Sequence, residues 1–386
     1  MARFAAFRET GAHRATSRIR VVANPADIAD EWRLLEETGH ATVFQTRAWL
    51  EPWCEIVARE NRVEPVFVLA SDRASGAPQM LLPFCRRREG SLVSIEFADL
   101  GASDYNAPLI AADFRPTQTE FATLWAGVRA ALPAADILRI DKSPAMIGEA
   151  PNPLARLSFM SRLALGAWSV TLPADREVYV RETLCARHRK ELARKRRRLG
   201  ASGALRLSRA RNSTEAVAML RLLADMRRER YIALDRHDIL ADNAFRAFYD
   251  NLLTRADAIA EAWALDVAGD RVAILFGLRH AGVFHFLLSG FADGEWAAKS
   301  VGGIAADMMI AQAIEDGLQT FDFTIGNAPY KRHFGAKRRD LFGGAQALSY
   351  RALPQVAERR IRGSLRALLL PPPASPAPAP ALDQWK

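Results

Sequence analysis

One order of local elements occurs twice along the chain, and that repeat limits the possible folds more than any other feature. Three short apolar runs, 65–70, 79–84 and 92–97, are separated by polar turns at 72–76 and 86–90. A helical pattern over 117–132 and an apolar run over 137–140 follow. The second half repeats the order with strands at 262–267, 272–278 and 283–289. Its turns are Gly269-Asp270 and Ala281-Gly282, and a helix over 301–316 and a strand over 320–325 complete the set. Even Glu96-Phe97-Ala98-Asp99 is echoed by Gly290-Phe291-Ala292-Asp293. Such a period reads as one α/β domain type used twice. The alternative is two unrelated α/β units sharing common hairpins.

A length of 386 residues with 49% hydrophobic content fits two cores, since domains typically take roughly 100–200 residues. The reading is a flexible start at 1–20, a domain at 21–165, a second at 166–352 and an extension at 353–386. Within that extension, 371–380 holds six prolines and should be extended and unpacked. Cys54, Cys85 and Cys185 show no CxxC spacing, and the few histidines are scattered. Neither a disulfide framework nor a metal site is expected. The first twenty residues lack a continuous apolar core, and no run of about 18 apolar residues occurs. A cytoplasmic location is the expectation.

Local signals place further elements. Asn24 and Pro25 start a helix over 25–37 with Ile28, Trp32 and Leu35 on one face. Thr46 is a candidate cap for a helix through Trp49, Trp53 and Val57. The segment 168–172 reads as a strand, and 175–199 as one long helix. Ser213 and Asp242 lead into two more helices. The net charge of +9 is concentrated: 187–198 carries eight Lys or Arg against one Glu, which is +7 and leaves +2 elsewhere. That run can bind an anionic partner, nucleic acid included, or form a solvated helix face. It has no interleaved aromatic platform for single strands.

The segment 302–335 carries the chemistry. Gly302 and Gly303 open a helix directly after a strand hairpin, and free N–H groups there can hold a phosphate. Lys299, Ser300 and Val301 precede them, and Lys299 adds charge; the plain alternative is a flexible turn. Asp322 alternates with Phe321 and Phe323, so it faces away from both. A carboxylate on a buried strand should have a raised pKa and suit general-base work, or it can pair with Lys331 or Arg332. Tyr330 can protonate a leaving group and Lys331 can bind a phosphate. His285, between Phe284 and Phe286, is a third proton carrier. Asp104 and Tyr105, in a polar loop of the first half, are candidates for shaping an acceptor cleft.

These segments together resemble a known family. The basic helix Arg187-His188-Arg189-Lys190-Glu191-Leu192-Ala193-Arg194-Lys195-Arg196-Arg197-Arg198-Leu199, the strand Phe321-Asp322-Phe323-Thr324-Ile325-Gly326 and the loop Tyr330-Lys331-Arg332-His333-Phe334-Gly335 look like acetyltransferases of the CelD/BcsL type. Phe44-Gln45-Thr46-Arg47-Ala48-Trp49-Leu50, Leu81-Leu82-Pro83-Phe84 and Asp104-Tyr105-Asn106-Ala107-Pro108-Leu109-Ile110 agree. The resemblance covers roughly 21–350. It implies two tandem GNAT-like domains, with mixed, mostly antiparallel sheets flanked by helices, as in the related FemAB peptidyltransferases. It also implies acyl transfer, most often from acetyl-CoA or another acyl-CoA to an amine or hydroxyl, in cellulose or exopolysaccharide production. GNAT enzymes seat the CoA pyrophosphate on a Gln/Arg-x-x-Gly-x-Gly/Ala loop. The matching segment here is Lys299-Ser300-Val301-Gly302-Gly303-Ile304, where Gly302 matches, Lys299 is a basic substitute and Ile304 departs. Some FemAB relatives use aminoacyl-tRNA, so tRNA is the alternative donor. A non-catalytic partner of a polysaccharide synthase is the third reading.

Overall fold

The computed structural model describes residues 17–367, so the proline-rich stretch 371–380 lies outside the described residues. The first half runs β1 (Ser17–Val22), α1 (Ala29–Thr38), α2 (Arg47–Pro52), β2 (Glu64–Asp72), β3 (Pro78–Glu89), β4 (Leu92–Phe97), a short β5 (Leu109–Ile110), α3 (Gln118–Ala131) and β6 (Ile137–Pro144). A two-residue ribbon, β7 (Met146–Ile147) and β8 (Ala150–Pro151), leads to the long β9 (Met160–Thr171). The second half runs α4 (Arg176–Val178), α5 (Ala186–Gly200), β10 (Leu205–Arg209), α6 (Ser213–Ala233), α7 (Asn243–Thr254), β11 (Ala260–Val267), β12 (Asp270–His280) and β13 (Val283–Phe291). Then come α8 (Val301–Glu315), β14 (Thr320–Ile325), α9 (Tyr330–His333), β15 (Lys337–Ala347) and α10 (Leu353–Ala367).

The repeat expected from sequence is present as topology. β1 through β4 pair antiparallel in chain order, and β4 then pairs parallel with β6 through α3. β10 through β13 do the same, and β13 pairs parallel with β14 through α8. The two sets belong to one 13-stranded sheet ordered β1-β2-β3-β4-β6-β15-β9-β14-β13-β12-β11-β10, with β5 beside β3. The joint is an exchange. β9 follows β6 in the chain but lies against β14, whereas β15 follows β14 but lies against β6. The exchanged strands then pair antiparallel with each other, Lys337 opposite Ser169 and Gly344 opposite Met160. The expected boundary at 165/166 falls inside β9.

The local signals behave as their chemistry dictates. Asn24 accepts the Ala26 N–H, and Ile28, Trp32 and Leu35 are buried. Thr117 and Glu120 form a reciprocal capping box at α3, and Asp242 caps α7. Several expectations are corrected. The start 1–20 is not flexible throughout, because Ser17–Val22 pairs with β2. The segment 86–90 is not a turn: β3 continues to Glu89 and the reversal falls at Gly90 and Ser91. Thr46 does not cap α2, since its hydroxyl donates to the Val43 carbonyl. The helix expected over 175–199 breaks at Leu184 and Cys185, both extended. β10 and β15 are additional strands. The extension from 353 begins as α10.

One hydrophobic core joins the halves. Trp32, Trp49 and Trp53 from α1, α2 and the turn after it share a cluster with Phe248, Tyr249 and Phe276. The Trp49 ring meets Phe248 edge-on at 4.9 Å. Two further clusters lie under α3 in the first half and under α5 and α8 in the second. Gly344 on β15 tests the exchange. A Cβ there would overlap the Phe159 carbonyl oxygen, so Gly344→Ala must push β15 away from its neighbour. We expect it to cost at least about 1–3 kcal/mol, read as a fall in the thermal midpoint.

Candidate active site

Tyr105 and Asp322 are 217 residues apart in sequence and meet at the boundary of the halves. The Tyr105 hydroxyl donates to both Asp322 carboxylate oxygens at 2.9 Å. The loop bearing Tyr105 is fixed from several sides. Trp53 Nε1 donates to the Asp99 carbonyl, Trp49 Nε1 to Ser103 Oγ, and Gln45 Nε2 to the Tyr105 carbonyl. Lys142 Nζ lies 2.5 Å from Asp99 Oδ2, and Asn106 donates to the same carboxylate. These partners explain why an unremarkable polar loop holds one rigid geometry.

On the other side, β13 and β14 pair from Val283 and Thr320 to His285 and Asp322, where their pairing ends. Thr324 then takes a left-handed conformation (φ 57°), and its N–H donates to Asp322 Oδ1 at 2.8 Å. A non-glycine residue in that region stores strain, which the surrounding bonds must hold. His285 Nδ1 is 3.4 Å from Asp322 Oδ2, a long contact, and the Arg339 guanidinium is 3.8 Å from it. Arg339 also sits over the Tyr105 ring.

The electrostatics correct one expectation. Burial pushes the Asp322 carboxyl up. His285, the Arg339 charge and the Thr324 N–H outweigh burial and hold it below the ordinary aspartate value. Asp322 is therefore an ionised carboxylate and a poor proton acceptor. Burial and the Asp322 charge push the Tyr105 hydroxyl well up, so it stays a donor. Asp104, half-buried beside this group, is raised by burial, against the pull of Thr324 and Lys142. His285 Nδ1 is buried and makes no hydrogen bond among the described residues, so its 3.4 Å contact with Asp322 is one of charge and not of a formed hydrogen bond.

A cavity of about 720 Å³ lies across the sheet from this cluster. Phe286, Ser289 and Phe291 of β13 form one wall, and His188, Leu192 and Lys195 of α5 form another. The N-terminus of α8, Ser300 to Gly303, opens into it, as do Tyr330 and His333. Ser300 is left-handed (φ 58°), no side chain caps α8, and its first turn has no acidic residue. The Gly303 and Ile304 N–H groups turn back to the Ser300 carbonyl, so the dipole and the N–H groups ahead of them face the cavity. At Gly302 a Cβ would press on Phe291 at 3.0 Å, whereas at Gly303 nothing lies within 4 Å.

The residues picked from sequence thus fall into two groups. Ser300, Val301, Gly302, Gly303 and Tyr330 line the cavity. Asp322, His285, Tyr105 and Asp104 gather on the opposite face, because His285 and Asp322 alternate with Phe286 and Phe323. Two residues depart from their expected role. Lys299 binds Glu295 and Ser202 and lies over the Trp296 ring, outside the cavity lining. Lys331 is buried and donates to the Phe323, Thr324 and Ile325 carbonyls, which satisfies its three donors and leaves none for a phosphate. Tyr330 is 41% exposed, and burial of its ring raises its pKa, so it can release a proton only to a basic group. The sequence reading missed Gln45, Asp99, Lys142 and Arg339. Gln45 lies in a motif already singled out, but Arg339 sits in a charged run with no local signal.

Comparison with known proteins fixes the fold. Residues 186–332 match the acetyltransferase (GNAT) domain family. The crystal structure of FemX superposes with a TM-score of 0.56 at 10% identity, covering 82% of this chain and 95% of that one. The C-terminal domain of a putative lysylphosphatidylglycerol synthetase from Agrobacterium fabrum gives 0.52 at 10% identity, over 92% and 99%. A conserved protein of unknown function from Bacteroides thetaiotaomicron gives 0.52 at 11%, over 85% and 100%. No curated protein matches. The chain has the GNAT fold, a mixed, mostly antiparallel sheet flanked by helices. Among the described residues no cluster of three or more His, Cys, Asp or Glu could hold a metal ion. No helix among them is long and apolar enough to cross a membrane.

Lys331 gives a pH signature. Burial lowers its pKa from 10.5 to about 8. Between those values the unfolded chain keeps a proton that the folded chain has released, so this group makes stability rise with pH. Relative to Lys331→Met, the wild-type chain should gain stability from pH 8 to 10.5, by at most about 1.4 kcal/mol per pH unit. Denaturant titrations at several pH values measure the difference.

Proposed function

We propose that the chain is an acyltransferase that takes its acyl group from acyl-CoA, with acetyl-CoA the first donor to test. The observation that carries this reading is the contrast between two equivalent helix starts. In the first half, the Glu120 carboxylate and Thr117 hydroxyl close the N-terminus of α3. In the second, the N-terminus of α8 is uncapped, lacks acids and opens into a cavity of about 720 Å³. Only the second suits an anionic donor.

The parting of β13 and β14 after His285 and Asp322 supports a route from the cavity to the opposite face. A donor seated at α8 can pass between the strands and present its acyl carbon beside His285. In this reading His285, beside Asp322, takes the proton of an amine or hydroxyl acceptor. The acceptor attacks the thioester carbonyl, the C–S bond breaks, Tyr330 gives its phenolic proton to the leaving thiolate, and exchange with solvent removes the proton from His285 and restores the one on Tyr330. Asp104 and Tyr105 shape the acceptor side. A sugar acceptor and a role in exopolysaccharide or cellulose synthesis rest on the CelD/BcsL resemblance alone, and a cytoplasmic location is part of the same proposal.

Aminoacyl-tRNA is a second donor reading, favoured by α5. Arg187, Lys190, Arg194, Arg196, Arg197 and Arg198 are exposed. The same helix supplies His188 and Lys195 to the cavity wall. A polyanion could lie along that face with its reactive end in the cavity.

Two measurements test the reading. Gly303→Glu has room to fold and places a carboxylate at the α8 N-terminus. Calorimetric titration should show acetyl-CoA affinity lowered about tenfold or more, with an unchanged melting temperature. Wild-type protein with no acetyl-CoA binding would overturn the acyl-CoA donor, and reversal of Arg194, Arg197 and Arg198 would then be assayed against charged tRNA. His285→Ala should retain acetyl-CoA binding and lower turnover on an amine and sugar panel by about 10²–10⁴-fold.

A further inference from the structure

We infer that the first half carries a separate site for an apolar carboxylate. A cavity of about 600 Å³ runs along α3 and shares no lining residue with the cavity at α8 or with the Asp322 cluster. Phe114, Phe121, Trp125, Leu157 and Phe159 supply apolar walls. Arg115, Arg129 and Arg156 are exposed residues of the same lining. No Asp or Glu lines it, so every formal charge facing the space is positive. Arg115 donates to the neighbouring Phe114 carbonyl, and neither Arg129 nor Arg156 has an ion pair among the described residues.

A second observation points to a ligand. Trp125 is 6% exposed, and its Nε1–H has no hydrogen-bond partner. The Gln346 side-chain oxygen, which reaches this cavity from the exchanged strand β15, also has none. Buried polar atoms are normally paired, so two orphans on one cavity are unusual. Volume and lining match those of small-molecule sites, mostly apolar with few polar groups. The complementary molecule has a hydrocarbon or aryl body against the rings and one carboxylate at the guanidiniums. The α3 capping box already occupies the helix N-terminus, so the arginines, not the helix dipole, select the charge.

The test uses the full chain, octanoate below its micelle concentration, and 1-octanol as the uncharged counterpart. Calorimetry should show saturable octanoate binding, with octanol weaker by about tenfold or more, since charge-assisted bonds to carboxylate are among the stronger ones. Arg129→Glu with Arg156→Glu should abolish octanoate binding while leaving melting temperature and acetyl-CoA titration unchanged. Trp125→Phe, which keeps a ring and removes the N–H, should weaken octanoate about fivefold, the worth of one net hydrogen bond. Absence of saturable octanoate binding, equal affinity for octanol, or full binding by the double arginine variant would each overturn the site. None of the three overturning outcomes depends on whether α8 binds an acyl donor.

Discussion

The exchange of β9 and β15 is the constraint on which the rest of the molecule depends. Each half builds five strands and a crossover helix locally, then closes against a strand supplied by the other half. Neither β6 nor β14 would have its outer neighbour without that exchange. The backbone groups of two central strands would be left unpaired, at a cost no buried sheet tolerates. The two halves are therefore obliged to fold against each other. The shared core of Trp32, Trp49, Trp53, Phe248 and Tyr249 follows from the same geometry.

That joint also creates the candidate site. β15 delivers Arg339, β14 delivers Asp322, and the loop of the first half delivers Tyr105. Because His285, the Arg339 charge and the Thr324 N–H together outweigh burial, the carboxylate stays ionised and acts as an anchor for its neighbours. The ammonium of Lys331 serves the same end from below. It fills the carbonyls freed where Thr324 leaves the strand conformation, and so stabilises the point at which β13 and β14 part.

The duplicated topology does not bring duplicated chemistry. Both halves have a parallel strand pair joined by a helix, and both have a left-handed residue near the end of the central strand, Lys142 and Thr324. The helix starts differ. A Thr and a Glu three residues apart are enough to close one, and a Gly-Gly pair leaves the other open. The cavity beside α3 is instead apolar and lined by guanidiniums, a different kind of surface from the one at α8.

Much of this was legible in the sequence. Alternation set His285 and Asp322 each on the face opposite its flanking phenylalanines; the pairing of β13 with β14 made that one face. The cap at Asn24, the helix start at Asp242 and the Gly302-Gly303 start are local chemistry written in a few residues. The strand repeat itself needed only apolar runs and turn residues. What the sequence could not show is which strand pairs with which. β15 begins with the polar Lys337-Arg338-Arg339-Asp340 and contains Gly343-Gly344, so its pattern is weak, yet it lies at the centre of the sheet. The same limit hid Arg339, inverted the expected Asp322 titration and reassigned Lys331 from ligand to structure. Local order follows from spacing and side-chain chemistry along a few residues. Register, strand exchange and the charges around a buried group depend on residues far apart in the chain, 217 or more positions for Tyr105 with Asp322 and Arg339, and only the tertiary structure decided them.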